Sequence, residues 1–301
     1  MNTITKKIKE LKNRHHAVIL AHNYQLPEVQ EIADYRGDSL ELARIAAKTD
    51  AKVIVYCGVD FMAETASILC PHSKVLMPDR SSTCPMANML SAAQLKELKA
   101  KHPRAAVIGY VNSSAEVKAE LDACCTSSNA VAVVNAYKDA PEIIFVPDKY
   151  LADFVSKKTG RSLIGWGGFC PTHIKILPEN IMLQKQLHPL AKVLVHPECT
   201  PEVIALADEA LSTSGMNVYA KKTGAKEMII GTEVDMVYRL EQDFPDQRFF
   251  PAVDGAICQN MKKVTVDKVM KALETLREEV RVPDDIRVKA RRAIDRMLEI
   301  V

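Results

Sequence analysis

Three stretches of this chain read alike at a nearly constant spacing: residues 18–34 (VILAHNYQLPEVQEIAD), 107–122 (VIGYVNSSAEVKAELD) and 193–208 (VLVHPECTPEVIALAD). Each is a β-branched run, a polar turn and a helical pattern that closes on aspartate. Their Glu-Val pairs, Glu28-Val29, Glu116-Val117 and Glu202-Val203, lie 88 and 86 residues apart. A repeat of that period means that one supersecondary unit is built three times. In each unit a second strand is predicted (Lys52–Tyr56, Ile143–Val146, Met228–Ile230), then a helix opening near Phe61, Lys149 or Asp235. A third strand follows at Lys74–Met77, Ser162–Ile164 and Arg248–Phe250. Strands alternating with helices at this spacing imply parallel sheets covered on both faces. The expectation is an α/β protein of three homologous three-layer α/β/α domains with small parallel sheets, over residues 1–102, 103–190 and 191–282. Residues 283–301 are expected to form a C-terminal helix packing back on the body. Its apolar positions are Ile286, Ala290, Ala293, Ile294, Met297 and Val301.

The cysteines keep the same period. After the third strand of each unit comes a loop with one cysteine: PDRSSTC at Cys84, GWGGFC at Cys170 and PAVDGAIC at Cys258, separated by 86 and 88 residues. In parallel α/β sheets ligands sit beyond the carboxyl ends of strands, where these loops fall. If the three domains meet in a triangle around a pseudo-three-fold axis, the thiols converge on it. Any one free cysteine is more often a small apolar core residue than a ligand, but repetition at one loop position in three units argues against that here. Cys57, Cys70, Cys124, Cys125 and Cys199 show no such pattern and read as structural. No C-x-x-C pair occurs among the eight cysteines, so zinc-ribbon and ferredoxin patterns are absent. Three thiolates without a fourth suit one 4Fe-4S cluster per chain, whose unligated iron is a Lewis acid. Zinc held by three cysteines and a water is the alternative metal.

Polar residues repeat as well. His22, Tyr110 and His196 are equivalent after the first strand, and so are Tyr24, Asn112 and Glu198. Five residues beyond each closing aspartate stands a hydroxyl, Ser39, Ser127 or Thr213, expected to cap a further helix and to offer a carboxylate or phosphate site. Histidine, tyrosine and glutamate are candidates for proton transfer near neutral pH. With 40 basic against 38 acidic residues there is no electrostatic footprint for nucleic acid. No apolar stretch approaches the roughly 20 residues of a membrane span. The segment Met1–Lys7 precedes no apolar run of a secretory signal, so the expected location is cytoplasmic. Periodicity alone thus reaches a three-fold α/β enzyme with a metal and a small anionic substrate.

The strings AHNYQ (21–25), GDSLELA (37–43), CTSSNA (125–130), FCPTH (169–173), HPEC (196–199) and the closing ALETL and ARRAIDRMLEI closely resemble quinolinate synthases, in order and over nearly the whole chain. The resemblance implies a triangle of three α/β/α domains and a transferase of NAD biosynthesis. The implied reaction condenses iminosuccinate with dihydroxyacetone phosphate to quinolinate, with loss of phosphate and two waters. It implies a 4Fe-4S cluster on Cys84, Cys170 and Cys258. It also implies a site lined by His22, Ser39, Tyr110, Asn112, Ser127, His196, Glu198 and Thr213. Tyr24, Tyr110, Glu198, His22 and His196 would share the proton transfers, and Ser212 is a further phosphate-site candidate. Partners would be small molecules, with a transient hand-over from an iminosuccinate-producing enzyme. Some family members carry a C-x-x-C-x-x-C run at the third ligand; here Cys258-Gln259-Asn260-Met261 stands instead, so no disulfide switch of that kind is expected. An aconitase-type hydro-lyase and a non-catalytic iron–sulfur carrier are the alternative readings.

Overall fold

The computed structural model describes residues 3–300, so Val301 and the first two residues lie outside the described part. The first unit runs α1 (Thr3–His15), β1 (Ala17–His22), α2 (Pro27–Ile32), β2 (Tyr35–Gly37), α3 (Ser39–Lys48) and β3 (Val53–Cys57). It continues with α4 (Asp60–Leu69), β4 (Lys74–Leu76) and α5 (Ala92–Lys101). The second repeats the pattern from β5: β5 (Ala105–Tyr110), α6 (Ala115–Lys118), β6 (Ala123–Cys125), α7 (Ala130–Ala136), β7 (Glu142–Val146), α8 (Lys149–Thr159), β8 (Ile164–Gly165) and α9 (Pro178–Leu187). The third comprises β9 (Lys192–Val195), α10 (Pro201–Ile204), β10 (Glu209–Ala210), α11 (Thr213–Thr223), β11 (Glu227–Gly231), α12 (Asp235–Asp243), β12 (Arg248–Pro251) and α13 (Val266–Thr275). The chain closes with α14 (Asp284–Glu299).

The three sheets are parallel and four-stranded, in the orders β2-β1-β3-β4, β6-β5-β7-β8 and β10-β9-β11-β12. Each therefore has one more strand than the periodicity predicts. The extra strands β2, β6 and β10 are only two or three residues long, too short to leave an alternating pattern. What sets their place is the closing aspartate of each repeat. Asp34, Asp122 and Asp208 each accept the backbone N–H of the first strand (Ile19, Val107 and Val193) at 2.7, 2.7 and 2.8 Å. Each returns its own N–H to the same residue's carbonyl at 2.9 Å. This side-chain and backbone pair registers the short strand against its neighbour, and explains why each repeat ends on aspartate.

The strands are apolar on both sides because both faces are covered. Along β1 the residues alternate, Val18 and Leu20 joining one core and Ile19 and Ala21 another. Along β9, Val193 and Val195 face one core and Leu194 the opposite one. The covering helices do not all come from their own unit. Ile181 of α9 packs with Val193, Val195 and Ile229 of the third sheet. Val269 and Leu273 of α13 pack with Ile19, Val53 and Val55 of the first, beside Ile8 and Leu11 of α1. Leu95 of α5 shares a core with Val107 of the second sheet, and Lys99 of α5 bonds to Glu120 there. Each unit's last helix thus crosses to the next unit, and the exchange closes cyclically. The C-terminal α14 buries Ala290, Ala293, Ile294 and Met297 against β6, α6 and α4.

Candidate functional site

The carboxyl ends of the strands point inward, and the loops that follow them enclose one cavity of about 190 Å³. Its wall includes Cys84, Cys170 and Cys258, one from each unit. It also includes His22, Tyr24, Ser39, Tyr110, Asn112, Ser127, His196, Glu198 and Thr213. Ser212 is not part of the wall. Its hydroxyl caps α11 through the Gly215 N–H at 3.1 Å and bonds to Ser128 at 2.8 Å. The hydroxyls expected as caps are displaced by one residue or more. Asp38 caps α3 and Ser212 caps α11, leaving Ser39 and Thr213 as the first helical residues, while Ser127 lies in the turn before α7. The reason is reach: a cap must bond the N–H groups two or three positions on, as Asp38 does to Leu40 and Glu41 at 2.9 Å each.

The three cysteines have matching surroundings. Each is half-buried, whereas the other five are buried. Each is followed by a single 3-10 turn (Ala87–Met89, His173–Lys175, Met261–Lys263), and each cysteine carbonyl accepts the N–H four residues on at 3.3 Å. Burial pushes all three thiols up; a neighbouring thiol and Glu198 add to it at Cys84 and Cys170, and Glu233 at Cys258. Against this, backbone N–H groups of the turn (Ala87; His173 and Thr172; Met261 and Asn260) are directed at the sulfurs. Sulfurs gathered in a water-poor centre and cradled by amides are suited to thiolates bound to a cationic group. The donor set therefore fits an iron–sulfur cluster with three cysteine ligands.

Beside the cysteines lies a connected set of titratable groups. The backbone N–H of Tyr24 donates to His22 Nδ1 at 3.1 Å, and that of Glu198 to His196 Nδ1 at 3.3 Å, the same relation in two repeats. The imidazole protons therefore sit on Nε2, and that of His196 faces Ser127 Oγ at 3.1 Å. Burial lowers His22 to about 4 and His196 to about 3, so both rings are neutral at pH 7. Burial opposes ionisation of Glu198, but His173, His196 and a hydrogen bond from Tyr110 outweigh it and hold the carboxyl below its ordinary range. Burial, reinforced by Glu198, pushes the Tyr24 and Tyr110 phenols well above theirs, so they stay protonated.

Two members of this set have no signal in the repeat. His173 stacks on His196 with ring centroids 4.6 Å apart, and its Nδ1 lies 2.7 Å from Glu198 Oε2. Thr232 Oγ1 bridges His173 Nε2 at 2.8 Å and the Tyr24 hydroxyl at 2.6 Å. The equivalents of His173 are Ala87 and Met261, so periodicity passes over it; its cues are its place three residues after Cys170 and its presence in the FCPTH string. Thr232 directly follows β11, and position at a strand's carboxyl end could have flagged it. Asp148, a buried carboxyl at the cap of α8, is pushed well above its ordinary range by burial and by Glu198.

The family model described as quinolinate synthetase A protein matches residues 6–299. Quinolinate synthase of Dehalococcoides mccartyi strain CBDB1 is 54% identical over 298 residues, covering 99% of this chain and 98% of that protein. Quinolinate synthase of Geobacter metallireducens is 51% identical over 299 residues, with 99% and 98% covered. Quinolinate synthase 1 of Methanosarcina acetivorans is 50% identical over 297 residues, with 99% and 97% covered.

Proposed function

The chain belongs to the quinolinate synthetase A family, and from that premise we propose that it is a transferase condensing iminosuccinate with dihydroxyacetone phosphate to quinolinate, releasing one phosphate and two waters. The observation that carries the reading is the convergence of Cys84, Cys170 and Cys258, one from each unit, on a cavity that also holds Glu198, Tyr110, His22 and His196. Cys84, Cys170 and Cys258 would hold one 4Fe-4S cluster, which supplies when bound a Lewis-acidic iron able to polarise a carbonyl, imine or hydroxyl.

The rest of the work falls to the chain's own side chains. Glu198 is ionised and its Oε1 has no partner, so it is the proton acceptor for enolisation of the triose. The Nε2–H groups of His22 and His196 donate to substrate oxygens as they gain negative charge. Tyr24 returns protons through Thr232 and His173, a chain of contacts at 2.6 and 2.8 Å. Tyr110 donates to Glu198 and fixes the carboxylate's direction. Asn112, whose Oδ1 is buried without a partner, accepts a hydrogen bond from the substrate. Ser39, Ser127 and Thr213 orient carboxylates and phosphate, and Ser212 acts indirectly by fixing the start of α11. No described helix is long and apolar enough to cross a membrane. We take the site of action to be the cytoplasm and the iminosuccinate to arrive by transient hand-over from the enzyme that makes it.

The test is anaerobic loading with iron and sulfide, then assay with freshly generated iminosuccinate and dihydroxyacetone phosphate. Quinolinate should form, and Glu198→Gln and Tyr110→Phe should each cut turnover by about 10²-fold or more at unchanged iron content. Full turnover in either variant would remove that residue's assigned role. Dehydration of a single hydroxy acid without quinolinate would mark an aconitase-type hydro-lyase instead.

A further inference from the structure

The three cysteine loops are alike in backbone but not in what stands beside them. Only the second carries a histidine on its turn; carboxylates approach the other two loops as well, but they accept the cysteine backbone N–H, Asp60 at Cys84 at 3.1 Å and Glu233 at Cys258 at 3.0 Å. Cys170 Sγ, a ring nitrogen of His173 and a Glu198 carboxylate oxygen all lie within 4.8 Å of one another, the single such group among the described residues, and it is His173 Nδ1 that faces Glu198. We propose that the chain without its cluster binds one zinc-like divalent cation at Cys170, His173 and Glu198, with the fourth position open to the cavity.

The donors are thiolate, imidazole and carboxylate, the three types zinc accepts, at about 2.3, 2.0 and 2.1 Å from the ion. A tetrahedral ion at those distances spaces its ligands about 3.3–3.8 Å apart. To hold the ion at that spacing, His173 Nδ1 and Glu198 Oε2 would move apart from 2.7 Å. A second observation points the same way. His173 Nδ1 and Glu198 Oε2 are 2.7 Å apart, yet Nδ1 forms no aligned hydrogen bond, and Glu198 Oε1 has no partner either. His173 is 1% and Glu198 3% exposed, so no bulk water compensates them. Glu198 Oε1 is thus a buried carboxylate oxygen left without a partner beside the His173 ring.

The surroundings hold the ligands in place. His173 Nε2 meets Thr232 Oγ1 at 2.8 Å, which sets the ring with Nδ1 turned inward, as outer-shell partners of metal-bound histidine do. The His196 ring stacks on His173 at an interplanar angle of 23° and closes the other side. Charge also balances: one thiolate and one carboxylate offset a divalent ion, so the filled site is neutral in a buried place. On binding, Cys170 releases its proton to solvent and nothing is oxidised or reduced. Because Cys170 is shared, the cation and a cluster ligated by Cys84, Cys170 and Cys258 exclude each other.

Cobalt(II) titration of the full-length, reduced, iron-free chain tests this, with zinc as competitor. The expected result is one ion per chain, displaced by zinc, with thiolate-to-cobalt absorption of one sulfur's intensity. Binding should be lost in Cys170→Ser, His173→Gln and Glu198→Gln, retained in Cys84→Ser and Cys258→Ser, and weakened about 10-fold or more in Thr232→Val. Absorption of three sulfurs' intensity, equal loss in the Cys84 and Cys258 variants, or no binding would overturn the proposal. Should a variant fail to fold by circular dichroism, the intensity of the unaltered chain still decides. The site does not rest on the cluster reading, which needs Cys84 and Cys258, so the same variants tell the failure of one from the failure of the other.

Discussion

His22 and His196 are buried as neutral rings, and that has a cost on acidification. Their folded values, about 4 and about 3, lie below the ordinary 6.5, so the unfolded chain takes up protons first as pH falls. The stability they contribute is full above pH 6.5 and is lost on going down through that value towards 4 and 3. Acidification from about pH 7 to about pH 5 should cost about 2 kcal/mol for each ring, since a proton bound by the unfolded chain alone is worth about 1.4 kcal/mol for every pH step below its pKa. Urea unfolding of the iron-free chain at several pH values reads this, and His22→Gln should shallow the dependence. Lys262 makes a second residue-scale case. Its Nζ meets the Tyr24 carbonyl at 2.6 Å, Glu233 at 2.7 Å and Asp235 at 2.5 Å, while Glu233 also accepts the Cys258 N–H at 3.0 Å. Lys262→Met strands a buried carboxylate and should cost about 3 kcal/mol in urea, with Glu233→Gln in the same chain recovering part of it. The repeat singles out none of Lys262, Thr232 and His173, because each acts through a neighbour brought from another segment by folding.

At the scale of elements, the closing aspartates are the clearest link between sequence and structure. Asp34, Asp122 and Asp208 look like a helix-ending habit in the sequence, but they are strand-edge clamps, each joined twice to one residue of the first strand. Asp122→Ala leaves the Val107 N–H unpaired in a partly buried edge and should cost about 1–3 kcal/mol by urea unfolding, with the neighbouring β6 the first segment to exchange its amides. The long strands and the helices α4, α8 and α12 are legible because apolar periodicity runs through them. Strands β2, β6 and β10 are not, since two or three residues carry no period. The caps fall a residue or more from their expected places for a related reason. Ser39, Ser127 and Thr213 repeat more regularly than Asp38, Asn129 and Ser212, which stand at the three cap positions.

For the whole molecule, the exchange of last helices means that no unit carries its own complete cover. We propose the boundaries near 102, 190 and 282 as limits of the sequence repeat rather than of independent folding. Residues 103–190 made alone lack α5 and α14 over the second sheet and should show no cooperative unfolding transition, whereas a sharp transition would argue for an autonomous domain. The three units are readable from the repeat and their triangle from the family resemblance, and together these imply the meeting of the three cysteines, because one loop position occurring three times has to converge if the units close into a ring. The crossing helices are not readable, as their apolar faces fit either sheet. We propose that this convergence holds a cluster through three ligands with one iron left open, and iron content after anaerobic loading decides it. The unaltered chain and Cys124→Ala should each hold about four irons, and Cys84→Ala, Cys170→Ala and Cys258→Ala should each lose them. An unaltered chain that takes up no iron, or a Cys84, Cys170 or Cys258 variant that keeps its full complement, would contradict it.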